Sequence, residues 1–514
     1  MLARHPRIAA LAAGLASATG FAPLQFWPVA LACLALLMTL VERAPARKDA
    51  FLIGWCFGLG HFTVGLNWIA HAFTFQDAMP HWFGYGAVVL LSLYLAVYPG
   101  LAALAAFEAR RRIQGIGPTS FILIFAAAWI ATEWLRATLF TGFAWNPLGV
   151  AALPTGVAIA STWIGTYGVS ALVIIAAGGV MLAAKRQVRP ALTLLLPILL
   201  IGVVGLLIPA PTPSASAPHI RVVQPNIGQQ DKYDETFEAR NFQKLAMLSG
   251  KPSAQPRLLF WPEAAIPAYL DFEPEWRQKL ALLMGPDDLL MTGGDKIYFK
   301  EEEKDGLYVG RTLTGANNSL WVMTPEGRLI GRYDKAHLVP YGEYLPMRPI
   351  LSAIGLSRLV PGDVDFWPGP GPRTLPLPAA PGRSALKMGV QICYEIIFSG
   401  QVVDEKNRPD FLFNPSNDAW FGSWGPPQHL AQARMRAIEE GIPVIRSTPT
   451  GVSAVVDARG RILHSVPHEQ AGFIDTQLPP SGARTVFSRI GNWASMLLVL
   501  LLVGLAIATR RSRS

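Results

Sequence analysis

The segment Pro209-Ala210-Pro211-Thr212-Pro213-Ser214-Ala215-Ser216-Ala217-Pro218 divides the chain in two. Its Pro, Ser and Ala residues offer nothing for a core and suit a short extended spacer, so 210–218 reads as a linker. On its N-terminal side, long apolar runs dominate. On its C-terminal side, short β-type runs alternate with helical or looped stretches, the texture of an α/β domain with a layered sheet core. The chain of 514 residues is 51% hydrophobic and only 15% charged, too apolar for an ordinary soluble protein.

Runs close to the roughly 20 residues that cross a bilayer core fall near 7–22, 25–41, 50–72, 84–107, 119–138, 157–184 and 190–209, with an eighth at 491–509. They predict a transmembrane domain over 1–209 with about seven spans, and a C-terminal transmembrane helix at 491–509. With eight spans, Arg4 and Arg7, then Arg43, Arg47 and Lys48, then Arg110, Arg111 and Arg112, then Lys185, Arg186 and Arg189, and finally Arg510, Arg511 and Arg513 fall on one side. The loops opposite, near 21–25, 73–83 and 139–156, contain no Lys or Arg. This asymmetry is the positive-inside signature, which predicts cytoplasmic termini and an outer-face domain between about 210 and 490. The net charge of +9 is then topology and gives no reason to expect nucleic acid as a partner. Glu133 and Arg136, three apart on a predicted helix, suit a pair with each other.

Over 219–485 the predicted strands are Ile220–Val223, Leu258–Phe260, Asp288–Thr292, Ser319–Met323, Leu386–Ile392, Phe411–Asn414, Pro443–Ser447 and Ser453–Val456. Helical stretches are predicted at Glu235–Leu248 and Gln428–Glu440. No repeat, phosphate-binding glycine loop or metal-ligand spacing is visible, and neither a metal nor an organic cofactor is expected. Of three cysteines, Cys33 and Cys56 lie in apolar runs, which excludes a disulfide framework and leaves Cys393 as a lone thiol in the polar half. On its own such a thiol fits a small buried core residue as well as a nucleophile.

Three polar landmarks stand where predicted strands end. They are Glu263 in Leu258-Leu259-Phe260-Trp261-Pro262-Glu263, Lys335 in Arg332-Tyr333-Asp334-Lys335-Ala336-His337-Leu338-Val339-Pro340, and Cys393 in Val390-Gln391-Ile392-Cys393. Strand ends of α/β sheets are where sites are assembled, although Glu263 and Lys335 also suit solvated surface charges. Together they make coherent chemistry. A thiol with an ordinary pKa near ~8.5 needs a base and a positive neighbour to attack a carbonyl. Glu263 can take the proton, Lys335 can favour the thiolate and stabilise the oxyanion, and the backbone N–H of Tyr394 can complete the oxyanion site.

Glu, Lys and Cys in this order, inside Trp-Pro-Glu, Asp-Lys-x-His-Leu-Val-Pro and Ile-Cys-Tyr-Glu, resemble the carbon–nitrogen hydrolase (nitrilase) superfamily. With Ser416-Asn417-Asp418-Ala419-Trp420-Phe421-Gly422, Arg434-Met435-Arg436-Ala437 and, on the membrane side, Phe21-Ala22-Pro23, Phe26-Trp27-Pro28 and Gly491-Asn492-Trp493, nearly the whole chain is similar to that superfamily's membrane-bound branch, the lipoprotein N-acyltransferases of the bacterial inner membrane. The resemblance implies an αββα sandwich for 219–485, held outside the cytoplasm, and a Glu263, Lys335, Cys393 triad. It implies a phospholipid acyl donor among the membrane lipids, a thioester on Cys393, and the α-amine of a diacylglyceryl apolipoprotein as acceptor, all handled by a monomer. It also implies that Glu343 orients Lys335, that Tyr394 and Glu395 support the nucleophile, and that Trp420 lines the lipid entrance, where packing in the core is the other reading. Tyr233 stands where some relatives carry a functional tryptophan, and Ala144 replaces a proline; neither touches the triad. Two other readings stay open: a membrane-tethered amidase or nitrilase in which water resolves the thioester, and a transporter or receptor with an outer binding domain.

Overall fold

The computed structural model describes residues 4–75, 79–209, 211–214, 216–232, 234–304, 307–353, 358 and 364–510, without the side chains of 303, 304 and 307–309. Tyr233, Ala210 and Ala215 of the linker, and Arg511 and Arg513 lie outside the described residues.

Beyond the linker the described residues form twelve strands: β1 (His219–Gln224), β2 (Arg257–Phe260), β3 (Leu289–Lys304), β4 (Leu307–Met323), β5 (Leu329–Asp334), β6 (Thr374–Leu377), β7 (Leu386–Val390), β8 (Phe411–Pro415), β9 (Val444–Ser447), β10 (Ser453–Val456), β11 (Ile462–Val466) and β12 (Gly472–Gln477). They make two six-stranded sheets, ordered β12-β1-β2-β3-β4-β5 and β11-β10-β9-β8-β7-β6. In each the middle is parallel, β1-β2-β3 and β7-β8-β9, and the rest is antiparallel. The parallel strands are short continuous apolar runs because both of their faces are covered. Val222, Phe260 and Met291 of one sheet meet Val390, Phe413 and Ile445 of the other in a shared core. The outer face of the first sheet packs Leu259, Leu290 and Met323 against Leu245 and Leu280 of the helices Glu238–Ser249 and Pro274–Ala281. The outer face of the second lies under the helix Gly425–Glu440, whose Leu430, Met435 and Ile438 belong to a core that runs on into the N-terminal helices. The layers are helix, sheet, sheet, helix, the sandwich that the sequence predicts.

Eight apolar runs were expected near the ends of the chain. Among the described residues four helices are long and apolar enough to cross a membrane: Phe83–Arg112, Pro118–Thr138, Val157–Ala184 and Val188–Leu207. A fifth results if Arg47–Gly65 and Ile69–Phe75, bent by 49° at their junction, count as one span. The other runs form shorter helices. Trp27–Glu42 and Trp493–Ala508 have 16 residues each and Pro6–Ser17 has 12; at 1.5 Å per residue the longer two reach about 24 Å against a core of ~30 Å. The run 25–41 matches its helix closely, whereas 7–22 and 491–509 take in residues outside theirs, such as the 3₁₀ turn Ala18–Gly20.

The two ends of this helical region differ. At one, Glu42 pairs with Arg110 and Lys185, Glu108 with Arg47, and Asp49 with Arg7, which draws the basic loops together. At the other, the Lys- and Arg-free loop 139–156 meets the sandwich. His337 Nε2 lies 2.9 Å from Thr141 O, and Trp145 Nε1 donates to Gln428 Oε1 at 2.7 Å.

Candidate active site

The three landmark residues sit at strand ends that the fold brings together. β2 is wholly buried and leaves its C-terminal end through Trp261-Pro262-Glu263. That turn is stitched to β3 by Trp261 N to Met291 O at 2.9 Å and Ala265 N to Gly293 O at 3.1 Å. Gly293 is required there, since a Cβ would stand 2.7 Å from the Cα of Glu263 and 2.3 Å from Ala264 N. Lys335 follows β5, its N–H donating to Asn318 O at 2.9 Å. Cys393 follows β7 at φ +50°, in the left-handed region that non-glycine residues occupy at a cost, and opens the single turn Cys393–Ile397. A sharp strand-to-turn geometry of this kind presents a side chain at a sheet's edge.

Two carboxylates surround the ammonium. Lys335 Nζ is 2.9 Å from Glu343 Oε2 and 3.5 Å from Glu263 Oε1, with only 1% of its side chain exposed. The Asn318 amide donates to Glu263 Oε1 at 2.6 Å and to Glu343 Oε1 at 2.9 Å, and Val339 N donates to Glu343 Oε2 at 2.8 Å. Burial alone would favour neutral Lys335, but Glu343 and then Glu263 outweigh it and hold its pKa above the ordinary range. Every oxygen of the pair but one is therefore engaged. Glu263 Oε2 is buried and has no hydrogen-bond partner among the described residues.

Burial and the neighbouring Glu263 charge push the Cys393 thiol well up, while Lys335 and the backbone N–H of Asn417 pull it down without cancelling them. The expected influence of Lys335 is present in direction.

Of the supporting residues, Glu395 braces the nucleophile loop to the lysine loop. Its Oε1 accepts from Tyr333 OH (2.8 Å), Ala336 N (2.8 Å) and His337 N (3.2 Å), and its Oε2 from Ile392 N (2.7 Å). Tyr394 is buried, stacks edge-on against Phe398 and His337, and its hydroxyl lies 3.4 Å from Gly142 O. Trp420 is half-buried and meets the ring of Phe75 edge-on at 5.6 Å, at the boundary between the two regions and outside the core.

Several site residues escape the sequence. Asn318 orders both carboxylates, and nothing in the polar Gly315-Ala316-Asn317-Asn318-Ser319 stretch marks it out. Lys232 Nζ donates to Glu263 O at 3.2 Å, and burial lowers its pKa to about 8 against the pull of Glu263. Behind the nucleophile, Asp418, His429 and Arg446 form a fully buried cluster. Cys393, Asp418 and His429 present atoms within 4.8 Å of one another, in the manner of a metal site. The Arg446 guanidinium already stands among them, 2.6 Å from Asp418 Oδ2 and 3.1 Å from His429 Nδ1, so the donor set does not suit a second cation.

Comparison with known proteins covers both halves of the chain. Residues 13–179 match the family model described as apolipoprotein N-acyltransferase N-terminal domain, and 219–486 match that of carbon–nitrogen hydrolase. The apolipoprotein N-acyltransferase of Rhodopseudomonas palustris is 34% identical over 98% of this chain and 95% of its own. That of Caulobacter vibrioides is 35% identical over 96% and 92%. Among solved structures, an amidase from Nesterenkonia sp. aligns with 52% of this chain and 92% of its own, at 16% identity and a TM-score of 0.32.

Proposed function

This chain belongs to the apolipoprotein N-acyltransferase family, a membrane protein with a nitrilase-like α/β domain, and we propose from that premise that it acylates the α-amine of diacylglyceryl-cysteine at the start of apolipoproteins. In the first half-reaction Cys393 Sγ attacks the ester carbonyl of a phospholipid as Glu263 Oε2 takes the thiol proton. The Lys335 ammonium and the Tyr394 N–H face the oxyanion. Collapse expels the lysophospholipid alkoxide, which recovers the proton from Glu263, and the acyl group remains as a thioester. In the second, the acceptor amine attacks the thioester, Glu263 takes a proton from it, and the departing thiolate is reprotonated as the amide forms. Splitting the transfer in two is covalent catalysis and gives ping-pong kinetics.

The observation that carries this reading is the unpartnered Glu263 Oε2 inside a set of otherwise satisfied carboxylate oxygens. The amidase alternative uses the same triad with water as acceptor. Against it stands the packing of Tyr394 and His337 on Gly142 and Thr141 of the helical region, which sets the nucleophile turn against a membrane platform. The basic residues gathered at the far end of that region support an extracytoplasmic catalytic domain with both termini in the cytoplasm.

The test is intact mass spectrometry of the purified full-length protein. Incubation with phospholipid should add one acyl mass, and a diacylglyceryl peptide should remove it with amide formation. Cys393→Ala should show no addition while still entering the membrane. An adduct that decays equally fast without peptide would establish the hydrolase instead, and a hydroxylamine-sensitive adduct on Cys393→Ala would dismiss this nucleophile.

A further inference from the structure

A buried histidine behind Cys393 takes no part in either half-reaction. His429, on the helix Gly425–Glu440, is fully buried, and its Nε2 lies 3.0 Å from the carbonyl oxygen of Cys393. Its Nδ1 lies 2.9 Å from Asp418 Oδ1 and 3.1 Å from Arg446 Nη2, while Arg446 also donates to Ser416 Oγ at 3.0 Å and to Asn414 Oδ1. Asn414 Nδ2 is in turn 3.4 Å from the same Cys393 carbonyl. With the proton assigned to Nε2, the ring donates to that carbonyl and its Nδ1 accepts from Arg446, and the Asp418 and Arg446 side chains behind it fix the ring.

What that hydrogen bond holds is a peptide plane. The Cys393–Tyr394 bond is not among the cis peptides, so its C=O and N–H point in opposite directions. Anchoring the carbonyl on His429 therefore aims the Tyr394 N–H the other way, toward the oxyanion. A carbonyl that accepts a hydrogen bond also makes its own amide N–H the better donor. The same bond restrains Cys393 at φ +50°, a conformation that persists only where its surroundings impose it.

We propose that His429 is a positioning residue of the acyl transfer, which clamps the Cys393 carbonyl and thereby sets the oxyanion-binding N–H of Tyr394. The ring also rests on Trp145 of the loop 139–156, with centroids 5.1 Å apart, so the clamp is seated on the helical region. The inference rests on the acyl-transfer reading above. Failure of that reading would appear in the unmodified enzyme, as absence of any acyl-enzyme mass.

The experiment compares His429→Phe, which keeps a ring against Trp145, with His429→Gln, whose amide nitrogen stands as many bonds from the backbone as imidazole Nε2 and can donate to the same carbonyl. Two rates are measured on the full-length enzyme: single-turnover acylation by phospholipid, and alkylation of Cys393 by iodoacetamide, a reaction that builds no oxyanion. His429→Phe should lose about 10²-fold in acylation, the scale of one oxyanion donor, with half-saturation by phospholipid unchanged and alkylation far less affected. His429→Gln should recover most of the loss. Should His429→Phe fail to accumulate, His429→Gln against His429→Asn decides, because asparagine is one bond too short and should stay slow. Equal acylation by all variants would overturn the proposal. So would a glutamine variant as slow as phenylalanine, the mark of proton transfer, or parallel losses of acylation, alkylation and melting temperature, the mark of mere structure.

Discussion

Glu133 in the helical region and Glu263 in the sandwich each face a buried cation, and they are finished differently. In the helical region Glu133 lies 3.8 Å from Arg136, and both oxygens are used. Leu148 N (2.8 Å) and Trp129 Nε1 (3.3 Å) donate to Oε1, and Ser170 Oγ (2.5 Å) donates to Oε2. Arg136 continues the network through Asn146 at 3.1 Å, whose amide lies 3.3 Å from His61. In the sandwich Glu263 lies 3.5 Å from Lys335 and keeps one oxygen without a partner. A buried polar group left unpaired costs stability. Among the described residues Glu263 bears that cost, at the site proposed to move a proton, and Glu133 does not.

The largest expected effect tests that distinction directly. Glu263→Gln keeps the shape and the hydrogen bond from Asn318 but cannot accept a proton. Both acylation of Cys393 and its aminolysis should slow by about 10²–10⁴-fold, the range of a positioned general base, measured as separate single turnovers. Melting temperature should change little, because Glu343 stays beside Lys335 and the amide oxygen keeps the hydrogen bond from Asn318. A variant that lost the first half-reaction alone would leave the second without Glu263 as its base.

Lys335→Met comes next. It removes the charge and keeps much of the stem, and acylation should fall by about 10²–10³-fold for a missing oxyanion contact. The direction with pH follows from the charges around the thiol. Lys335 lowers the Cys393 pKa against burial and Glu263, so its loss should move alkylation by iodoacetamide to higher pH. Unlike Glu263→Gln, this variant leaves two carboxylates buried without their cation, and it should melt lower. An unchanged alkylation profile together with unchanged acylation would make Lys335 a structural charge, as Arg136 is in the helices.

The reactive cluster was more legible in the sequence than the inert one, and legibility followed the backbone. Glu263 and Cys393 stand just past or at the end of short apolar runs, Glu263 and Lys335 stand beside proline turns, and all eight expected runs lie within or overlap strands of the structure. β5, β6, β11 and β12 were missed. β5 mixes Gly331 and Arg332 into its run, and the other three are short strands at or beside sheet edges whose partly exposed faces need few apolar residues. The hairpin of β3 and β4 hid behind Gly293-Gly294-Asp295-Lys296 and Ala316-Asn317-Asn318, which read as loop but pair residue for residue. Asn318, His429 and Arg446 were invisible as site residues for a related reason. A polar side chain on a strand or an amphipathic helix acquires a role only from a partner far away in sequence, as His429 does from Cys393, 36 positions earlier.

The smallest expected effect on chemistry, and the sharpest check of the comparison, is Glu133→Gln. The amide oxygen can still accept from Leu148 N and Trp129, and Ser170 can turn to accept from the new NH₂, so the hydrogen bonds are largely replaced. What is lost is the countercharge of Arg136, left among buried residues with Asn146 and the face of Phe62 at 5.1 Å. Removing one partner of a buried pair costs about 3–5 kcal/mol, and at 3.8 Å with those two contacts retained the lower end applies, about 3 kcal/mol. Thermal unfolding in detergent should show the loss, while acylation and aminolysis by the folded enzyme stay unchanged. Reversed results, an unaltered melting temperature with slowed acyl transfer, would mean that the satisfied glutamate is the working one, and that a missing hydrogen bond does not distinguish the reactive site in this protein.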